Sequence, residues 1–251
     1  MLSFYNDTYD ATNVNISNNK SSNISNITST NKSSNLKNNN INFSNSALII
    51  IDFQNDFVNY LFRNKISELN KIVKNINSLI DKFSTIVYTQ ELHPKDHIVF
   101  ENSTTSKEQL RCDDLTEKFR GKFPIHCIKD TEGSQIFKDI RIVNKKNNNN
   151  KNVLFLEKSK NRWKEEFSAF NKKVLPIFLR ENNIQKLYIT GLSLDYFIAY
   201  TALDASLFNF KTYIIKDCCS PTEYDSNNLI KDVKKSDVKY CNYIDLVDIT
   251  T

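Results

Sequence analysis

Glycine and histidine each occur only three times in this 251-residue chain, and tryptophan and methionine once each. Asn, Lys and Ile are abundant instead. That bias runs through the whole chain and weakens arguments from residue propensity alone. The five cysteines, Cys112, Cys127, Cys218, Cys219 and Cys241, are odd in number and form no Cys-x-x-Cys. In a chain of this size that argues against a disulfide framework and for reduced thiols in a cytosolic setting. The N-terminus has no basic stretch leading into an apolar one, so no signal peptide is expected. No apolar run approaches the ~20 residues that span a bilayer, so no membrane partner is expected either. Net charge is only +5. Basic residues form no dense run interleaved with aromatics, which leaves nucleic acid without support as a partner.

Two low-complexity stretches frame what is present. Residues 1–45 are rich in Asn and Ser and carry too few apolar groups to offset the entropy of ordering, so they read as a disordered tail. A second polar tract, 144–152, reads as a loop insertion. Between and beyond these tracts, 46–251 reads as one domain. Ala47-Leu48-Ile49-Ile50-Ile51 is a continuous apolar run, as expected of a strand buried on both faces. A helical stripe follows, from Ile66 through Leu69, Ile72, Val73, Ile76, Leu79 and Ile80 to Phe83. Further strands are predicted at 85–89, 153–156, 187–190, 212–215 and 243–247. Helices are predicted around 174–179 and from about Asp195 to Phe208, with a weaker one before the last strand. This alternation predicts an α/β fold, three layers α/β/α around a mostly parallel six-stranded sheet. Ligands in such folds sit beyond the carboxyl ends of the strands.

The polar motifs fall at those ends. Asp52 closes the first apolar strand, where a carboxylate is costly to bury without a task. Lys158 closes the third, and is either a charge partner for Asp52 or a solvated lysine. His93 and His97 lie in Glu91-Leu92-His93-Pro94-Lys95-Asp96-His97, and His126 in Phe123-Pro124-Ile125-His126-Cys127. Imidazoles beside a carboxylate make a partial metal-binding set. The spacing alone leaves an ordinary connection equally open. Thr190-Gly191-Leu192-Ser193-Leu194-Asp195-Tyr196-Phe197 turns from strand into helix, where backbone amides can hold a developing oxyanion or simply make a capped turn.

Together these segments resemble the nicotinamidases, within the isochorismatase-like hydrolases. Residues 47–57 resemble the family's first strand. Residues 91–97 resemble its metal motif, usually Asp-Trp-His-Pro-x-Asp-His. Residues 123–127 resemble its Trp-Pro-x-His-Cys, and 191–197 its nucleophile turn. The likeness spans about 46–222, in the family's order. It implies Asp52 as general base with Lys158 beside it. Glu91, His93, His97 and His126 would bind a divalent metal (zinc, iron or manganese). Phe57 and Phe123 would line a ring pocket, and the amides of Ser193 and Phe197 would form an oxyanion hole after a cis Leu192–Ser193 peptide. The implied substrate is nicotinamide, cleaved through a thioester to nicotinate and ammonia in NAD salvage. A homo-oligomer stays open.

One position departs from the pattern. The family turn reads Gly-x-x-Thr-Asp-x-Cys, its cysteine being the nucleophile. Here Leu194 replaces the threonine and Phe197 the cysteine. Phenylalanine has no nucleophilic atom. Either another thiol substitutes, with Cys218 and Cys219 the candidates and Cys127 a structural neighbour of the metal motif, or the chain is a catalytically silent homologue that keeps a metal and ligand site.

Overall fold

A computed structural model describes residues 43–103, 114–143, 150–221 and 227–247. Most of the Asn/Ser-rich tail and most of the 144–152 tract lie outside them. The described residues begin at Phe43. The Phe43 ring packs tilted against Phe83 and edge-on to Tyr188, with centroids 4.4 and 5.6 Å away, and the Asn45 carbonyl accepts from the amides of Gln185 and Lys186.

Six strands form one sheet: β1 (Ser46–Ile51), β2 (Thr85–Glu91), β3 (Asn152–Lys158), β4 (Lys186–Leu192), β5 (Lys211–Ser220) and β6 (Lys239–Cys241). Their order is β3-β2-β1-β4-β5-β6 and every pairing is parallel. Each residue of β1 is buried, so its continuous apolar run is covered on both faces. Helices α1 (Leu69–Lys82), α2 (Asp114–Lys118), α3 (Val174–Glu181), α4 (Ala199–Leu207) and α5 (Asn227–Lys235) connect and cover the sheet. On α1 the residues Ile72, Val73, Ile76, Leu79 and Ile80 are buried at three- and four-residue spacing, as the sequence pattern predicts. Full burial of each such side chain stabilises the fold by about 1.5–3 kcal/mol.

Several expectations change. The last strand is Lys239–Cys241, and Tyr243–Asp245 is a 3₁₀ turn rather than strand. Asn242 and Asp245 cap that turn reciprocally, a local arrangement that competes with pairing. Val174 and Ile177 of α3 are exposed, its core contacts coming from Leu175, Pro176 and Leu179. Among the described residues there is no cis peptide, so the Leu192–Ser193 bond is trans, with Ser193 in the left-handed region at φ 60°.

The chain builds β1, β2 and β3 outward on one side, then crosses to β4, β5 and β6 on the other. The strand order therefore reverses between β1 and β4, which opens a crevice at their carboxyl ends. Gly191 makes the close approach there. A Cβ on it would meet the Ile51 carbonyl oxygen at 2.2 Å, and its φ of +125° disfavours any side chain.

Candidate functional site

Asp52, Glu91 and Lys158 sit at strand ends that fix their height above the sheet. Asp52 follows β1, Glu91 ends β2, Lys158 ends β3, and Glu91 and Lys158 are register partners. All three are buried, at 0%, 0% and 1% exposure. Lys158 Nζ lies 2.7 Å from Asp52 Oδ2 and 3.4 Å from Glu91 Oε1, and donates to the Glu166 carbonyl at 3.0 Å. The other Asp52 oxygen accepts from Thr89 Oγ1 at 2.6 Å. Burial disfavours the ammonium, but Asp52 and Glu91 outweigh it and hold the Lys158 pKa above its ordinary value. Lys158 is thus the charge partner of Asp52, not a solvated lysine.

The three histidines converge beside this pair. His93 hydrogen-bonds in register with the loop that carries His126: its amide donates to the Cys127 carbonyl, and its own carbonyl accepts from Lys129. The ring centroids of His93 lie 4.5 Å from His97 and 4.8 Å from His126. His93 Nε2 is 3.5 Å from Glu91 Oε2, and His126 Nε2 is 3.9 Å from the same oxygen. A residue that the sequence reading missed completes the set. Glu165 Oε2 lies 3.1 Å from His93 Nε2 and 3.8 Å from His97 Nδ1. Glu165 is held by Ser159 Oγ on its other oxygen, at 2.5 Å, and by Thr116 Oγ1 on its amide, at 3.0 Å. Two overlapping groups, Glu91/His93/His126 and His93/His97/Glu165, have ligand atoms within 4.8 Å of one another.

These donors fit a divalent cation. His126 Nδ1 faces the Pro124 carbonyl at 2.8 Å, which assigns that nitrogen as the donor. Burial, then the neighbouring His93, pulls the His126 pKa down to about 3, and burial pulls His97 down to about 4. A neutral His126 therefore turns its Nε2 lone pair towards the carboxylate of Glu91. Glu91 Oε2 is itself buried with no hydrogen-bond partner. Lone pairs facing a buried carboxylate oxygen are repulsive unless a cation or a proton lies between them, and imidazole and carboxylate donors at these spacings suit a divalent cation. Burial, then the charge of Glu165, pushes the Glu91 carboxyl well above its usual range, in keeping with a surplus of negative charge in the cluster.

The low histidine values have a consequence for stability. The unfolded chain protonates these rings near 6.5, while the fold protonates them only at about 3 and about 4. The unfolded state therefore binds more protons in that window, and stability falls as pH falls through it. Glu91, its carboxyl raised by burial and then by the charge of Glu165, acts with the opposite sign. With chelator present, the two rings are expected to weaken the fold as pH falls from 6.5 to 5, by at most about 1.4 kcal/mol per pH unit for each proton the unfolded chain binds in excess. Thermal denaturation across that range measures it; a flat or rising melting temperature would refute the neutral assignment of the rings.

Beside the donors lies an aromatic pocket. Phe57 packs on Phe62 in a stacked pair 5.2 Å apart and on His126 at 5.4 Å. Phe123 lies 5.9 Å from His126. Phe197 sits in the π-helical turn Leu194–Ile198 that follows Ser193. Its ring is 5.7 Å from Phe57 and 5.9 Å from Phe167, and Lys158 Nζ stands 4.6 Å above its face. No cysteine lines this pocket among the described residues. Cys219 is a β5 residue in register with Gly191, and its thiol donates to the Ile215 carbonyl at 3.1 Å within the sheet. Burial pushes the Cys218 thiol up to about 12 and the Cys219 and Cys127 thiols well above the ordinary range. All three stay protonated at neutral pH and are poor nucleophiles. Neither Cys218 nor Cys219 is among the residues lining the pocket, so the described residues lend no support to either as a substitute thiol for position 197.

Residues 46–238 match the model of the isochorismatase domain. A nicotinamidase of Acinetobacter baylyi is 28% identical over 192 residues, covering 73% of this chain and 85% of its own. Among solved structures, the nicotinamidase/pyrazinamidase of Acinetobacter baumanii superposes with a TM-score of 0.68 at 26% identity, covering 81% of this chain and 99% of its own. The pyrazinamidase of Pyrococcus horikoshii in complex with zinc superposes at 0.63 with 25% identity, covering 79% and 99%. With a continuous domain match over most of its length and an all-parallel sheet of the same architecture, the chain belongs to the isochorismatase family, among its nicotinamidase-like members.

Proposed function

We propose that the chain is a nicotinamidase-type amidohydrolase by descent, with a divalent-metal site beside a ring pocket, and that the thiol-dependent cleavage of nicotinamide to nicotinate and ammonia has been lost from it. The observation that carries this reading is the Phe197 ring, which stands against Lys158 where the resemblance puts the attacking thiol. Asp52 keeps the position of a general base and Lys158 that of its partner. Phe57 and Phe123 are pocket walls, and the amides of Ser193 and Phe197 flank the turn that would hold an oxyanion. Glu91, His93, His97 and His126, with Glu165 added, would hold zinc, iron or manganese. When bound, the ion would supply Lewis acidity to a ligand atom beside it. Without a nucleophile at 197, no covalent acyl intermediate can form there.

A second reading, an active nicotinamidase, draws support from the intact Asp52–Lys158 pair, since a fully buried ion pair is costly to keep without a task. One assay separates the two. Protein loaded with zinc, iron or manganese is given nicotinamide, and ammonia is followed. Release no faster than in buffer is expected; turnover by the natural chain would reject the loss of cleavage. Elemental analysis tests the metal. The natural chain is expected to carry a stoichiometric ion and His93→Ala none, whereas negligible metal in both would end the metal assignment.

A further inference from the structure

We propose that the pocket is closed to heteroaromatic rings by its own Phe197, and that the metal site admits only a small ligand of one to three heavy atoms. This rests on the metal assignment above. In a nicotinamidase-type site, the ring to be bound and the amide to be attacked both lie between the metal and residue 197, because the nucleophile must reach the amide carbon. Here that space holds a side chain. The Phe197 ring lies in contact with Phe57 and Phe167, two further walls of the same pocket, and covers the Lys158 ammonium.

What is left is a cavity of about 20 Å³, bordered by Glu91, His126 and Glu165 on one side and by phenylalanines on the other. A volume of that order exceeds the roughly 10–15 Å³ that one water requires and falls far below the ~150 Å³ of a cavity that takes up benzene. A six-membered ring needs several times as much, and interiors packed to native density do not yield it without moving side chains. Phe197 is only 8% exposed and is held on both faces of the pocket, so it cannot swing into solvent without giving up those contacts. The same cavity still opens on three of the metal donors. A ligand small enough to sit in it would meet the ion directly.

The test uses the full chain loaded with cobalt(II), whose visible absorption reports changes at the metal without any turnover. Azide is expected to shift the spectrum of the natural protein. Pyridine and nicotinamide at the same concentrations are expected to leave it unchanged. In Phe197→Ala both rings should shift it, binding about tenfold or more tighter than to the natural chain. Pyridine or nicotinamide shifting the natural protein as strongly as the variant would overturn the closed pocket, as would azide without effect. Should Phe197→Ala fail to fold, the natural protein alone decides, since azide must act where the rings do not. Absence of stoichiometric cobalt would mark failure of the metal assignment itself and would remove the proposal with it; metal content therefore tells the two failures apart.

Discussion

Phe197→Cys, loaded with metal, is expected to hydrolyse nicotinamide while the natural chain does not. Removing the nucleophile from a well-characterised hydrolase costs on the order of 10⁶ in kcat, which sets the ceiling on the gain. The substitution acts twice. It supplies a thiol at the start of the helix that follows Ser193, beside the Lys158 ammonium that now covers the Phe197 ring. A cationic neighbour and a helix start both lower a thiol pKa, as a reactive cysteine requires. It also removes the ring from between Phe57 and Phe167, opening space for the substrate. The same vacancy should cost stability, about 2–4 kcal/mol for the lost packing of a buried ring. The variant is therefore expected to gain turnover and melt at a lower temperature. Ammonia release and a melting curve on one preparation check both. A folded, metal-loaded Phe197→Cys with no turnover would mean that the chain has lost more of the reaction than its thiol.

Much of this site is legible in the sequence because its residues sit at the ends of strands that are themselves legible. The run Ala47–Ile51 admits little but a doubly buried strand, and Asp52 follows it by one residue. Lys158 ends β3 in the same way, and the register of β2 with β3 sets it opposite Glu91. Phe197 is read from the order of motifs, not from local pattern. Glu165 is not legible by those means. It stands in Lys160-Asn161-Arg162-Trp163-Lys164-Glu165-Glu166, a charged run that reads as a solvated loop. Only the tertiary fold folds this run back over β3, so that Ser159 holds Glu165 and Lys158 meets the Glu166 carbonyl. The signal that was present is the apolar Phe167-Ser168-Ala169-Phe170 directly after it, three residues of which pack in the core. A carboxylate pair abutting a buried segment is poorly placed to stay in water. The misplaced last strand has a different cause: Tyr243–Val247 is as apolar as Val238–Cys241, and only the sheet edge decides which of the two pairs.

Lys158→Met is expected to destabilise the fold by about 3–5 kcal/mol, the range found when one partner of a buried ion pair is removed. The size follows from what is left behind. Lys158 faces Asp52 and Glu91 together, and both are fully buried. Methionine matches the volume but not the charge, so two carboxylates face each other across an apolar side chain. For a chain of this length the loss corresponds to roughly 6–20 °C in melting temperature. Asp52→Asn in the same chain should restore part of it, because the surplus charge is then smaller by one. The pH dependence gives the sharper test. Burial already pushes the Glu91 carboxyl well up, and loss of its cationic neighbour pushes it further. A group whose pKa is raised by folding contributes stability below its unfolded value and loses it as pH rises. The defect of Lys158→Met should therefore be larger at pH 8 than at pH 5. Divalent metal should shrink it by restoring positive charge beside Glu91, so chelator should widen the gap. Melting curves of the natural chain, Lys158→Met and the double variant at two pH values, with metal and with chelator, carry the comparison. A loss under 1 kcal/mol, equal at both pH values, would mean that Glu91 and Asp52 are not held as charges by Lys158, and the base assigned to Asp52 would fall with it.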